Sequence, residues 1–340
     1  MSATQPPLDA SLPWSVRLFA TPPLPPLLWA VVTFCAWALG SALYCHLLRL
    51  PFWTNFAEVD LLQITILSLT PMATLYALRG AQGDIDELRP LMRTAASASD
   101  MDPGRIYLLG RRTLALIGAA GVAMAFALLF APGSWQDGRP AMEHENFSWA
   151  ALRSSVLGWL VARSVGIELA IAWGFSKLGE RGVEVDWLDQ RPLAPFARKG
   201  LRSVFLLGLY SVLFSLFLLE PWGRVVATPL LVLFPLLCVA ALLLPVSGVH
   251  RRLAAVKQAE LTRVDTELRN EAEANLAPGG NAPADARLSN LVAYRGLLGA
   301  ASTWPFDLAT WLRFALYVSL GLGSWLGGAL VERLLGAALD

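Results

Sequence analysis

The sequence predicts an all-α polytopic membrane protein with seven transmembrane helices, and three observations carry that prediction. Seven long apolar runs are spread along the chain. Charged residues make up only 16% of it, against about a quarter in a soluble domain. The basic residues fall in alternate connections. Each run is continuous, as a helix crossing about 30 Å of hydrocarbon requires, and lacks the two-residue alternation of a membrane β-barrel strand.

Residues 1–26 form an N-terminal segment ending in Pro22, Pro23, Pro25 and Pro26. The first run, Leu27–Leu48, is too long for a cleavable signal peptide, and prolines rather than basic residues precede it, so it is read as a span. The second run is Leu61–Leu78, with Pro71 inside it as an expected kink. A connection over 79–112 follows, in which Gly83–Ala98 reads as a short amphipathic helix with Ile85, Leu88 and Leu91 on one face. The third run is Thr113–Ala131. The loop Pro132–Phe147 leads into the triplet Asn146-Phe147-Ser148, a glycosylation sequon of a kind that arises often by chance. The fourth run, Trp149–Phe175, is followed by a connection over 176–203 and the fifth run, Val204–Leu219. The sixth, Val225–Val249, contains Pro235 and runs on past His250 into a charged helical stretch that the loop APGGNAPAD interrupts. A second amphipathic helix with Leu288, Leu291, Val292, Tyr294 and Leu298 follows, so residues 250–304 form a helical region outside the membrane. Trp304-Pro305 restarts the chain, with Pro305 tolerated in a first turn, and Leu308–Leu335 is the seventh run, within a last segment 305–340.

Twenty of the 27 Lys and Arg lie in the N-terminal segment and the second, fourth and sixth connections. The positive-inside rule then places the N-terminus and those connections in the cytoplasm and the C-terminus outside, in a plasma or inner membrane. This inverts the topology of seven-helix receptors with an outside N-terminus. Cys35, Cys45 and Cys238 are odd in number and dispersed, which argues against a disulfide scaffold.

Nothing points to an enzyme. The histidines His46, His144 and His250 form no HExxH, and there is no Gly-x-Ser-x-Gly elbow, P-loop or dinucleotide fingerprint. Gly83-Asp84 is only superficially like an aspartyl protease motif, because no second membrane aspartate accompanies it. No metal, cofactor or nucleic-acid partner is expected. The ionisable residues inside a span stand out instead. Arg163 and Glu168 in the fourth run are costly there. Five positions put them about 140° apart around a helix, so each needs its own partner. With Trp159, Thr70, Thr74 and Tyr210 they are expected to outline an intramembrane polar cavity that is either a small-molecule or ion site or a structural network.

The seventh run holds SLGLGSWLGG, with Ser319, Gly323 and Gly327 on one line. That is a small-xxx-small pattern for close helix packing. Ser324, Gly328 and Glu332 follow at four-residue steps on another line. Repeated around an axis, that line gives a narrow lining and a ring of carboxylates, which favours cations.

The layout resembles the seven-transmembrane ion channel superfamily, the insect odorant and gustatory receptor type. The resemblance lies in the cytoplasmic N-terminus, the outside C-terminus and a seventh helix split by a break after a cytoplasmic helical region. It implies four subunits around one axis, with the cytoplasmic half of helix seven, here Asp285–Ser302, in an anchor and its membrane half, Pro305–Leu335, lining the pore. It also implies a ligand pocket among helices two to six, onto which Trp159 and Arg163 map. The family's helix-seven signature is not met: Tyr317 alone matches its tyrosine, and Gly323-Ser324 stands where Gln-Phe would be. The expected function is therefore a homo-oligomeric, cation-conducting channel with Tyr317, Ser324, Gly328 and Glu332 along the pore. A non-conducting sensor or scaffold, or a secondary transporter, is the alternative.

Overall fold

The computed structural model describes residues 26–51, 60–92, 109–130, 141–216, 223–276 and 283–339. Among them the chain is helical, apart from short connections and one isolated bridge between Met92 and Val183. We number the eight α-helices in chain order: α1 Pro26–Leu48, α2 Asp60–Leu88, α3 Arg111–Leu128, α4 Phe147–Lys177, α5 Ala194–Ser215, α6 Gly223–Leu276, α7 Pro283–Ala300 and α8 Leu308–Leu339.

Five of these helices are long and apolar enough to cross a membrane: α1, α2, α3, α4 and α6. The other two expected spans fall in α5 and α8. Helix α5 starts ten residues before the expected span and carries Arg198, Lys199 and Arg202 in its first half. Residues 217–219, the end of that expected span, lie outside the described residues.

Helix α2 is the axis of the bundle. Leu75, Leu78, Ala81, Ile85 and Leu88 recur at helical spacing and are all buried. They pack against Ile167, Ile171 and Phe175 of α4, Phe196 of α5, and Val246, Val249 and Leu253 of α6. The expected separate helix over Gly83–Ala98 is corrected here. Because its buried face continues through Ile85 and Leu88, α2 runs unbroken to Leu88, and one 3-10 turn, Arg89–Leu91, follows. Residues 93–98 lie outside the described residues. Helix α1 lies against α2 and the start of α4, where Trp149 stacks on Tyr44 at 5.4 Å and donates to Ser41.

Two crossings rest on glycine. A Cβ on Gly121 of α3 would lie 2.2 Å from the carbonyl oxygen of Gly158 of α4, so these backbones touch. Where α4 ends in a turn of π-helix, Leu178–Gly182, a Cβ on Gly248 of α6 would lie 1.6 Å from the Ser176 carbonyl oxygen.

Helix α6 has 54 residues. At 1.5 Å per residue it is about 80 Å long, well over twice the thickness of a hydrocarbon core. Its second half pairs antiparallel with α7. Glu260 accepts from Tyr294 at 3.0 Å, Asp265 pairs with Arg295, and Glu271 pairs with Arg287 at 3.0 Å. Lys257 donates to the carbonyls of Gly299 and Ala301, closing the end of α7 where the helix dipole is negative. Trp187 against Tyr294, and Gln190 donating to the Ser302 carbonyl, tie this hairpin to the α4–α5 connection. The break before α8 is held by His250, stacked on Trp304 at 3.9 Å. Pro305 lies before α8 rather than in its first turn. Asp307 starts that helix by accepting from the Thr310 amide at 2.7 Å.

Candidate functional site

The polar residues of the bundle assemble into one seam along α2, α4 and α5. At the end of α2 nearest its start, Arg153 of α4 donates to Gln63 of α2 at 2.7 Å, both buried. Further along, the Tyr210 hydroxyl of α5 donates to Thr70 at 3.1 Å, and Thr70 donates to the Ile66 carbonyl. Thr74 gives its own proton to the Thr70 carbonyl, so Ser164 of α4 is the donor in their 2.7 Å contact.

Next comes a buried ion pair. Lys199 of α5, with no exposed side-chain surface, donates to Oε1 of Glu168 and to Ser203 at 2.9 Å. Ser203 also donates to Glu168 Oε1, while Glu168 Oε2 has no partner. At the arginine-rich end, Asp84 of α2 is 3% exposed and accepts from Arg198 at 2.7 Å and Arg202 at 2.8 Å. Arg198 reaches on to Glu87. Such pairs add little net stability, because desolvation offsets attraction, yet removing one partner is strongly destabilising. The seam therefore fixes the register of three helices. Among the described residues no group of three His, Cys, Asp or Glu is placed to hold a metal.

Of the expected cavity residues, Thr70, Thr74, Tyr210 and Glu168 belong to this seam and bond to protein groups directly. Arg163 and Trp159 lie elsewhere. The Arg163 guanidinium sits 4.6 Å from the centroid of the Trp159 ring, on the α3 side of α4, where the missing side chain of Gly118 leaves room for the indole. Arg163 and Glu168 thus find different neighbours, as their spacing requires.

Lys199, Ser203, Arg202 and Asp84 were missing from the expected site. The signal was present in α5, where Lys199, Arg202 and Ser203 stand at i, i+3 and i+4 beside an apolar stretch, the spacing of one helix face.

Helix α8 packs on α5 and α6 along one side. Gly321 lies against Phe234, Tyr317 against Phe205 at 5.5 Å, and the indole of Trp325 donates to Ser211, which donates to the Gly321 carbonyl. Ser324 is half-buried near this side and donates to the Gly321 carbonyl at 2.7 Å. Ser319, Gly323 and Gly327 are exposed, and a Cβ on either glycine would meet nothing within 4 Å. Within one chain, then, Tyr317 and Ser324 lie toward neighbouring helices, and the Ser319 line lies open. Gly328 and Glu332 are on α8, but their side chains lie outside the described residues. No family model, curated protein or solved structure matches the chain.

Proposed function

We propose that the chain is a seven-span protein of the plasma or inner membrane, with its arginine-rich end in the cytoplasm, and that four copies form an ion channel around α8. The observation that carries this reading is the one-sidedness of α8. Its aromatic and hydrogen-bonding residues face α5 and α6, while Leu316, Leu320, Gly323 and Gly327 face out of the chain. Small residues between leucines allow close approach of another membrane helix. In a ring of copies, Leu316, Leu320, Gly323 and Gly327 come nearest the axis, and Tyr317 and Ser324 hold α8 to its own subunit. Glu332 stands seven residues after Trp325, two turns on along the side of α8 that packs on α5, so no pore charge is drawn from it.

Helix α7 adds support. Val292 and Leu297 are 56% and 63% exposed on a helix that meets water rather than lipid in this topology, and a second copy would bury them. The test is reconstitution in liposomes with a native-mass measurement. A tetramer passing monovalent ions is expected, with Gly327→Leu, which fills the space at the axis, reducing conductance. A monomer that passes no ions would overturn the reading.

A second reading, a non-conducting sensor or scaffold signalling through the α6–α7 hairpin, is favoured by one observation. The hairpin is braced to the α4–α5 connection through Trp187 and Gln190, so a shift in α4 is passed to it directly. An oligomer without conductance under any voltage would support it.

A further inference from the structure

Arg163 is a charge near the middle of α4, sixteen residues from Phe147 and fourteen from Lys177. At 1.5 Å per residue that is over about 20 Å from either end of the helix. It is only 8% exposed, and its Nε is buried without an acceptor. Among the described residues it pairs with no carboxylate. Its guanidinium is set, among the described residues, against the face of Trp159, which offsets only part of its desolvation. Glu168, the acid nearest along the helix, is turned to Lys199 and Ser203.

The neighbours of Arg163 define where it points. Ala162 is against Gly121 of α3, and Ser164 is bonded to Thr74 of α2. Successive side chains on a helix are about 100° apart. Arg163 therefore points into the angle between α3 and α2, two helices that share no extended contact. The α3 wall beside it is Gly118, against Trp159 and the Arg163 Cδ, and Ile117, against Gly166, and it offers no side-chain acceptor. Leu152, three turns before Arg163 on the same side of α4, is 51% exposed, so this angle opens to lipid further along, and the planar fork of guanidinium donors matches a carboxylate.

We propose that Arg163, with Trp159 beneath it, is the head-group site of a lipophilic monoanion of the long-chain free carboxylic acid class, whose tail lies between α3 and α2. The depth of Arg163 favours a free acid, which can reach it protonated and neutral, over a phospholipid, whose phosphate keeps its charge and is held at the interface. The inference does not depend on a pore.

The test is binding of radiolabelled oleate to the full chain in phosphatidylcholine nanodiscs, corrected for partition into empty discs. Saturable binding near one per chain is expected, displaced by unlabelled oleate and far less well by oleyl alcohol. Arg163→Gln is expected to weaken it about ten- to a hundredfold, the loss of one or two charge-assisted hydrogen bonds, and Arg251→Gln to leave it unchanged. Equal displacement by the alcohol, or no saturable binding, would overturn the proposal. So would unaltered binding in Arg163→Gln, or displacement by phosphatidylglycerol and not by oleate. The oleate and alcohol comparison uses the unaltered protein, so it stands even where the variant does not fold.

Discussion

The crossings inside the bundle and the open side of α8 are built from the same residue and meet opposite surroundings. At Gly121, Gly158 and Gly248 a single added carbon would lie within 2.5 Å of a neighbouring backbone. At Gly323 and Gly327 it would meet nothing. Small residues at four-residue spacing therefore state that a helix can be approached closely, and the chain itself answers only half the time. The bundle of α2, α4, α5 and α6 pairs most of its polar groups internally, the Glu168 Oε2 and the Arg163 Nε excepted, and fills its close contacts. Helix α8 does so on one side, and its other side is complete only against lipid or another copy.

The closed half is broken most severely through its charges. Lys199→Met leaves Glu168 with Ser203 alone at a site taken out of water. We expect a loss of about 3 kcal/mol, the low end for a buried pair because Glu168 keeps 26% of its side-chain surface exposed. Lys199→Met with Glu168→Leu removes both charges and is expected to recover most of that loss. Unfolding midpoints in detergent give both values. A double variant no more stable than the single would show that the seam acts through more than this pair.

The glycines separate the two halves by sign. Gly248→Ala forces a methyl into the Ser176 carbonyl and is expected to destabilise by about 1–3 kcal/mol, as overpacked cores do. Gly323→Ala has open space in the single chain and is expected to stabilise α8 by about 1 kcal/mol through helix propensity alone. The same Gly323→Ala is expected to weaken assembly, read as a fall in native oligomeric mass. Equal destabilisation of the single chain by both would erase the distinction. A smaller effect tests how α8 is held to α5: Trp325→Phe removes the indole bond to Ser211 and is expected to cost about 1 kcal/mol.

The legible part of this fold was carried by long local patterns. Apolar runs placed the helices, the charged stretch after His250 showed α6 extending, and Trp304-Pro305 marked the break before α8. The 140° between Arg163 and Glu168 correctly separated their partners. Misreadings came from contacts between distant residues. The second run ends at Leu78, yet α2 continues through Gly80, where the Arg202 guanidinium crosses the helix and a Cβ would lie 2.2 Å from Cζ. Lys199 and Asp84 counted as loop charges until α5 and α2 proved longer than their apolar runs. Their ion-pair partners lie 31 or more residues away, and no local spacing identifies them. The sequence reading assigns the two lines of small residues on α8 the other way round for a single chain, because both lines fit a helix equally well: the Ser319 line, read as the packing line, lies open, and Ser324, read as lining, is half-buried near α5.

Acid sharpens the contrast at the point where α8 leaves the hairpin. Asp307 is exposed, and its carboxylate sits below the usual range, chiefly through the hydrogen bond from the Thr310 side chain and then that from the Thr310 amide. A depressed carboxylate contributes stability above its unfolded pKa and loses it as pH falls through the folded value, so the cap is complete at neutral pH and lost in acid below the ordinary aspartate range. Hydrogen exchange at the Thr310 amide is expected to speed up on acidification beyond its intrinsic pH dependence, while the Leu253 amide inside α6, buried in the main core, keeps its protection. Asp307→Asn retains an acceptor for the same amide and removes the titration. Its Thr310 protection is expected to follow intrinsic exchange alone. If both proteins lose protection at the same pH, the start of α8 is held by the Trp304 and Phe306 stack rather than by its cap.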